Sequence, residues 1–233
     1  MRSSEPTEPA AQTHDAAAYL SLLLADGRLP VGAHTQSAGV EPGFRHGMRR
    51  ADLPAYIAVR LRTVTLVEAA TAVLAWNCLK DDSTEPLEAL ASVDAAWRAR
   101  TVSEALREAS DLLGRSYLRM AGRVWPVDLG DHRFARPVVV GVVAAVAGVG
   151  AEQLARIVAF DDVQTVVSAA LKLDPFDPVE GVRLAVGVGA DVERLVTAVC
   201  GIRSLEDLPA PSAPMIEHWA QAHQHEERRL FRA

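Results

Sequence analysis

The sequence is poor in the features that mark secreted, nucleic-acid-binding or β-rich proteins. It has two cysteines, Cys78 and Cys200, in 233 residues. They are far apart and in apolar surroundings, so we predict no disulfide framework. Aromatic residues make up only 5% of the chain, which disfavours a β-sandwich or barrel. The net charge of −6 lacks the basic excess typical of nucleic-acid binding, so we expect no nucleic-acid partner.

Long hydrophobic segments are also missing. Residues 1–14 contain no apolar core of a signal peptide, and we predict that they form a disordered tail. The longest apolar run, residues 138–151, is too short to cross a bilayer. We therefore expect a cytoplasmic protein without a membrane partner, built from this tail and one domain over residues 15–233.

Motifs for catalysis and nucleotide binding are absent. Ser37 does not lie in a G-x-S-x-G elbow, and Gly148 and Gly150 are not followed by the rest of a phosphate-binding loop. His225 and Glu226 begin an H-E pair, but no second histidine follows at the spacing that a zinc protease needs. The sequence predicts no enzyme, no catalytic residue and no cofactor.

Apolar residues with helical spacing are abundant. The chain is 49% hydrophobic and rich in Ala, Val and Leu, and Leu66, Ala70 and Val73 share one helical face. This pattern predicts an all-α fold, a single compact domain of about eight to ten helices, with long helices near residues 52–79, 151–173 and 213–230. Neighbouring residues such as Asp161 and Asp162 point in different directions on a helix, so we expect them at its surface.

Histidines near the C-terminus are the candidate metal ligands. His218 and His225 are seven residues apart and would share a helical face, whereas His223 would not. Imidazole binds nickel and zinc, so His218 and His225 are weak metal candidates on an otherwise solvated helix. An alternative function is a helical nickel-binding protein that uses these three histidines.

A basic cluster and the C-terminal end are candidate contact surfaces. Arg45, His46, Arg49 and Arg50, with Arg60 and Arg62 further on, form either a solvated face or a docking patch for an acidic partner. A helical ligand-binding regulator is a further alternative. At the other end, Leu230 and Phe231 lie among arginines. Apolar residues at a free end indicate docking on this domain or on a partner.

Three segments together resemble the urease accessory protein F (UreF) family. They are Leu29–Gly32 with Ser37, Gly39 and Glu41; Trp76–Asn77 with Arg100–Arg107; and His225–Glu226 with Arg229–Arg232. The first is similar to the family's L-P-[VI]-G-x-x-x-x-S-x-G-[LV]-E opening, and the last to its H-E…R-L-F-R-S terminus. The chain departs from the family at His34 and Gln36, where aromatics are usual. This departure implies either a more polar contact or a partner that has changed with it.

The resemblance implies a non-enzymatic scaffold or chaperone. UreF-type proteins bridge the accessory protein D/H and the GTPase UreG, typically as dimers, for nickel insertion into the urease apoprotein, and regulate the GTP cycle of UreG. The implied partners are therefore D/H, UreG, the urease apoprotein complex and a second copy of the chain. The partner contacts that we expect are Pro30, Gly32, His34, Gln36, Ser37, Gly39, Glu41, His225, Glu226, Arg229, Leu230, Phe231 and Arg232.

Overall fold

A computed structural model describes residues 14–26, 36–80, 85–226 and 230–231. These residues form eleven α-helices and one 3₁₀ turn, Arg50–Asp52, without a β-strand, which confirms the all-α prediction. The helices are α1 (His14–Leu24), α2 (Val40–Arg45), α3 (Leu53–Arg62), α4 (Val64–Cys78), α5 (Pro86–Arg100), α6 (Glu104–Ala121), α7 (Arg136–Val146), α8 (Ala151–Leu173), α9 (Pro178–Gly187), α10 (Gly189–Val199) and α11 (Pro214–His223).

Proline and side-chain caps set many of the helix starts. A proline lies in the first turn of α3, α5, α7, α9 and α11, where its missing N–H and fixed φ cost nothing. At the start of α6, the Ser103 hydroxyl accepts a hydrogen bond from the backbone N–H of Leu106. Asp177 caps α9 in the same way through the N–H of Val179. These caps satisfy donors that the first helical turn leaves open.

The long helix predicted over residues 52–79 is two helices. Thr63 leaves the helical conformation, with φ −129° and ψ −94°, and separates α3 from α4. The terminal helix is also shorter than predicted, because α11 ends at His223. The residues that follow, from Gln224 to Arg229, contain no apolar side chain to continue its buried stripe.

Helix α4 is the centre of the core and packs mainly against α7 and α8. Its residues 69–75 are all buried, and most are alanine, valine or threonine. The α4–α7 contact is close because α7 contributes Gly141, where an added Cβ would lie 2.3 Å from the carbonyl oxygen of Ala72. Small residues at this crossing therefore let two backbones approach.

The described helices were compared with the length and hydropathy that a membrane span needs. None of them is both long enough and apolar enough to cross a bilayer. The apolar run at residues 138–151 divides between α7 and the start of α8, and α7 is buried in the core by its neighbours.

Candidate functional site

The site begins with a tight turn that leads into α2. Ala38 and Gly39 both have positive φ, at 49° and 80°, and Val40 then starts the helix. At Gly39 a Cβ would lie 2.5 Å from the hydroxyl oxygen of Tyr56, so glycine is required here for space as well as for backbone conformation.

Two side chains from α3 hold this turn against the core. The Tyr56 hydroxyl donates to the carbonyl oxygen of Ala38 at 2.6 Å, and the Arg60 guanidinium donates to the same oxygen at 3.0 Å. The Ser37 hydroxyl is buried and accepts the backbone N–H of Glu41. The segment from Ser37 to Glu41 is therefore fixed at both its backbone and its side chains.

Glu41 joins this segment to the C-terminal end of the chain. Its carboxylate is 2% exposed and accepts the backbone N–H groups of Leu230 and Phe231, each at 2.8 Å. Arg45, one turn further along α2, donates to the same carboxylate at 2.8 Å. A buried carboxylate needs such donors, because an unpaired charge in the interior is costly. Glu41 and Arg45 form a group with His223 and Glu226, whose contacts are described next. We call these four residues the tail anchor.

His223 completes the tail anchor from the end of α11. The side chain is fully buried, and its Nδ1 lies 3.1 Å from the Glu226 carboxylate. Its Nε2 lies 3.2 Å from the carbonyl oxygen of Phe231 and 3.4 Å from the Glu41 carboxylate. Arg45 also pairs with Glu226. The anchor thus binds the last described residues to α2 and α11 through both charge and backbone hydrogen bonds.

The two apolar residues near the C-terminus, Leu230 and Phe231, differ in their exposure. We call residues 226–233 the C-terminal tail. Phe231 is buried, with 4% exposure, and its ring packs under the ammonium group of Lys172 at 5.3 Å. Leu230 is 65% exposed. The sequence allowed docking on this domain or on a partner; Phe231 docks on this domain, and Leu230 stays available.

The predicted contact residues divide by position. Ser37, Gly39, Glu41, Glu226, Leu230 and Phe231 meet around α2, and His225 is exposed beside them in sequence. Gln36 is half-buried and lines a cavity next to Ala38. Outside the described residues lie Pro30, Gly32, His34, Arg229 and Arg232.

The three C-terminal histidines, His218, His223 and His225, lie in different surroundings among the described residues. His218 lies in α11 and His225 lies beyond its end, so the predicted shared helical face does not form. Both are exposed, whereas His223 is buried in the tail anchor. Across the described part of the chain, no group of three or more His, Cys, Asp or Glu residues is arranged to hold a metal ion.

The basic cluster is also divided by the fold. Arg45 belongs to the tail anchor, Arg49 pairs with Asp52, and Arg50 packs over the Phe176 ring. Arg60, by contrast, is buried and forms an ion pair with Asp162 of α8. Arg60 is therefore a core residue and is not part of any docking patch.

Asp161 and Asp162 were predicted at a helix surface, and for Asp162 this is wrong. Asp162 is buried, where it accepts hydrogen bonds from Arg60 and from the Thr65 hydroxyl. Burial alone would raise the pKa of Asp162, but the charge and hydrogen bonds of Arg60 and Thr65 outweigh burial and hold this pKa below its ordinary value. The available signal was its place between Val158 and Val166 on the buried stripe of α8.

Asp161 belongs to a second network that the sequence did not indicate. Arg136, at the start of α7, pairs with both Asp161 and Glu68 of α4. Burial alone would lower the pKa of Arg136. The charges of Glu68 and Asp161 outweigh burial and raise this pKa above its ordinary value. The nearby Tyr117 is buried, and this burial raises its pKa. Two ion-pair networks therefore tie α8 to α3, α4 and α7 beneath the turn at Ala38.

Comparison with known proteins identifies the family. The UreF family model matches residues 48–188. The protein named urease accessory protein UreF from Mycolicibacterium vanbaalenii is 34% identical over 215 residues, which cover 90% of this chain and 96% of the relative. The proteins of the same name from Mycobacterium sp. strain JLS and Mycobacterium tuberculosis are 34% and 33% identical over 218 residues, with the same coverage. The chain belongs to the UreF family of urease accessory proteins.

Proposed function

We propose that this chain is a non-enzymatic scaffold that bridges the urease accessory protein D/H and the GTPase UreG. In this role it acts in the cytoplasm, as a homodimer, during nickel insertion into the urease apoprotein, and it couples the GTP cycle of UreG to that step. Family membership supports the urease accessory role. The observation that supports the scaffold role is the tail anchor.

The tail anchor brings together two segments that are about 190 residues apart in the sequence. Glu41 lies in the opening motif, and Leu230 and Phe231 lie in the terminal motif. The carboxylate of one segment binds the backbone of the other, so the two segments are held in contact. Leu230 is held there by its backbone while its side chain faces solvent. An ordered, exposed apolar side chain is a suitable anchor for a protein partner.

The chemistry of the described residues fits a scaffold better than a metal carrier. Both ring nitrogens of His223 face partners within the tail region, the Glu226 carboxylate and the carbonyl oxygen of Phe231. His218 and His225 are exposed and lie in different segments. The rival function, a nickel-binding protein using these three histidines, would need to dismantle the anchor to free His223.

The test is size-exclusion chromatography with light scattering on the chain alone, with its D/H protein, and with D/H plus GTP-loaded UreG. We expect a discrete complex that contains all three proteins. Leu230→Ala should weaken assembly, while His218→Ala, an exposed substitution on α11, should leave it unchanged. If no complex forms at micromolar concentrations, the scaffold proposal fails. Tight stoichiometric nickel binding by the isolated chain would instead favour the rival function.

A further inference from the structure

The imidazole ring of His223 lies between two points of the C-terminal tail. Its Nδ1 is 3.1 Å from the Glu226 carboxylate, at the start of this tail, and its Nε2 is 3.2 Å from the carbonyl oxygen of Phe231, near the end. Nε2 also lies 3.4 Å from the Glu41 carboxylate. The side chain has no exposed surface, so both ring nitrogens face protein oxygens rather than bulk solvent.

These oxygens accept hydrogen bonds and do not donate them. A backbone carbonyl oxygen carries no hydrogen, and an ionised carboxylate is an acceptor only. Glu41 accepts the backbone N–H groups of Leu230 and Phe231. Arg45 donates to Glu41 and also pairs with Glu226. Because N–H groups and a guanidinium stabilise a carboxylate rather than a carboxylic acid, each ring nitrogen of the histidine faces an acceptor.

A neutral imidazole satisfies only one of these two contacts. It has one N–H group and one nitrogen with a lone pair, so in either tautomer a lone pair faces an oxygen lone pair. The imidazolium carries a hydrogen on both nitrogens. In that form Nδ1–H donates to Glu226 and Nε2–H donates to the carbonyl oxygen of Phe231. The contacts of His223 therefore match the doubly protonated ring.

The charges of the tail anchor favour the same form. With a neutral ring, the anchor holds two carboxylates, Glu41 and Glu226, and one cation, Arg45. The imidazolium of His223 supplies a second cation and makes the group neutral. An uncompensated charge is costly where water is excluded, and both His223 and Glu41 are buried.

Charged groups of the surrounding helices do not alter this balance. Glu108 of α6 accepts the side-chain amide of Gln224, and Lys172 of α8 lies over the Phe231 ring at 5.3 Å. These two groups have opposite charges, and the contacts that they make are with residues beside His223 rather than with its ring. The protonation of this ring is therefore governed by the tail anchor itself.

We propose that His223 makes the tail anchor a pH-sensitive clamp on the C-terminal tail. The doubly protonated ring holds Glu226 and Phe231 at the same time. When the pH rises and the ring loses one proton, one of these contacts becomes repulsive and the anchor gains a net negative charge. The C-terminal tail is then released from α2. Release is a property of the isolated chain; only its effect on the presentation of Leu230 to a partner rests on the proposed scaffold function.

The first measurement is the protonation of the His223 ring, by ¹H–¹⁵N NMR of the histidine side chains of the full chain. The chain has seven histidines, and His223→Gln assigns one ring; replacing the other six one at a time gives the same assignment if that variant does not fold. Histidine ordinarily changes its charge between about pH 5 and pH 8, so the titration covers this range. We expect hydrogens on both ring nitrogens at the acidic end. A single ring hydrogen throughout the range would overturn the proposal.

The second measurement is hydrogen exchange at the amides of Leu230 and Phe231. Exchange is itself faster at higher pH, so each rate is compared with that of an unstructured peptide at the same pH. We expect the protection of both amides to fall at least about tenfold between about pH 5 and pH 8, since hydrogen bonds to charged groups are the stronger ones. The fall should coincide with the loss of the ring proton. Constant protection across the range would contradict the clamp.

Two variants separate His223 from the other titrating groups. His223→Gln keeps a polar side chain that does not change its charge, so the two amides should be weakly protected at every pH in the range. His225→Gln removes an exposed histidine two residues away and should keep the natural pH dependence. The proposal is overturned if His223→Gln retains that dependence or if His225→Gln loses it. All of these measurements use the isolated chain, so a failure of the scaffold proposal would leave their outcome unchanged.

Discussion

Glu41 shows how one buried carboxylate can determine where a distant segment lies. It accepts two backbone N–H groups from the tail and one donor from Arg45. These bonds account for the position of Leu230 and Phe231, although the side chain of Leu230 is largely exposed. The tail should therefore depend on this side chain more than on the adjacent residues of α2.

Replacing Glu41 with Ala should release the tail. The substitution leaves the N–H groups of Leu230 and Phe231 without their acceptor, so hydrogen exchange at these two amides should become fast. We expect a loss of about 1–3 kcal/mol in the free energy of unfolding, the typical cost of an unsatisfied buried group. Glu206→Ala removes an equal charge from an exposed position and should leave amide exchange and stability unchanged. Unchanged protection of both amides in Glu41→Ala would contradict the tail anchor.

The Arg60–Asp162 pair provides a second residue-scale prediction. Asp162→Asn leaves a buried guanidinium without a counter-ion and should cost about 3–5 kcal/mol in urea unfolding, as should Arg60→Met for the opposite charge. The double variant Arg60→Met with Asp162→Leu should be more stable than either single variant, because no buried charge remains. If the two single losses simply add in the double variant, the pair is not coupled as the contacts indicate.

The same pair should make stability depend on pH. The pKa of Asp162 is lower in the folded chain than in an unfolded one, so the carboxylate stabilises the fold above its unfolded pKa. That contribution is lost as pH falls through the folded-state pKa. Urea unfolding measured across the acid range should therefore show a smaller pH slope for Asp162→Asn than for the natural chain. An identical slope would mean that this carboxylate does not carry the acid sensitivity.

At the scale of helices, glycine has different effects at different positions. Gly141→Ala would place a methyl group 2.3 Å from the Ala72 carbonyl and force α4 and α7 apart. We expect this overpacking to cost about 1–3 kcal/mol in thermal or urea unfolding. Gly187→Ala, in α9 with open space around it, should be neutral or stabilising by up to about 1 kcal/mol. Equal effects of the two substitutions would mean that the α4–α7 contact is looser than described.

Helices were easier to predict from the sequence than their ends and their polar contacts. Apolar spacing is a local signal, and it predicted the helix at residues 151–173 with the bounds that α8 has. The break at Thr63 and the end of α11 at His223 were missed or misplaced, because no proline or glycine marks them. The burial of Asp162 had a local signal in the apolar stripe of α8 that was not used, whereas its partner Arg60, about 100 residues away, had none.

At the scale of the molecule, the candidate site was located by family motifs rather than by physical pattern. The sequence placed contact residues at both ends, and the structure joins Glu41 to Leu230 and Phe231. The sequence did not indicate which of the two apolar residues, Leu230 or Phe231, is buried. That distinction depends on packing beside Lys172 and on the tail anchor, neither of which is local in sequence.

The different burial of Phe231 and Leu230 separates stability from partner binding. Phe231→Ala removes a buried aromatic side chain and should cost about 3–5 kcal/mol, less if the tail frays instead of leaving a cavity. Leu230→Ala removes an exposed side chain and should change stability by less than about 0.5 kcal/mol. Urea unfolding measures both effects on the isolated chain.

For Leu230, partner binding should change although the stability of the chain does not. In co-elution with the D/H protein, Leu230→Ala should weaken binding although the chain is as stable as before. Deleting residues 226–233 should abolish binding, but it removes Phe231 and Glu226 as well, so its effect mixes anchoring with contact. The single substitution is therefore the decisive variant. If Leu230→Ala binds as well as the natural chain while Phe231→Ala does not, the tail supports the site only through the fold, and the partner contacts another surface.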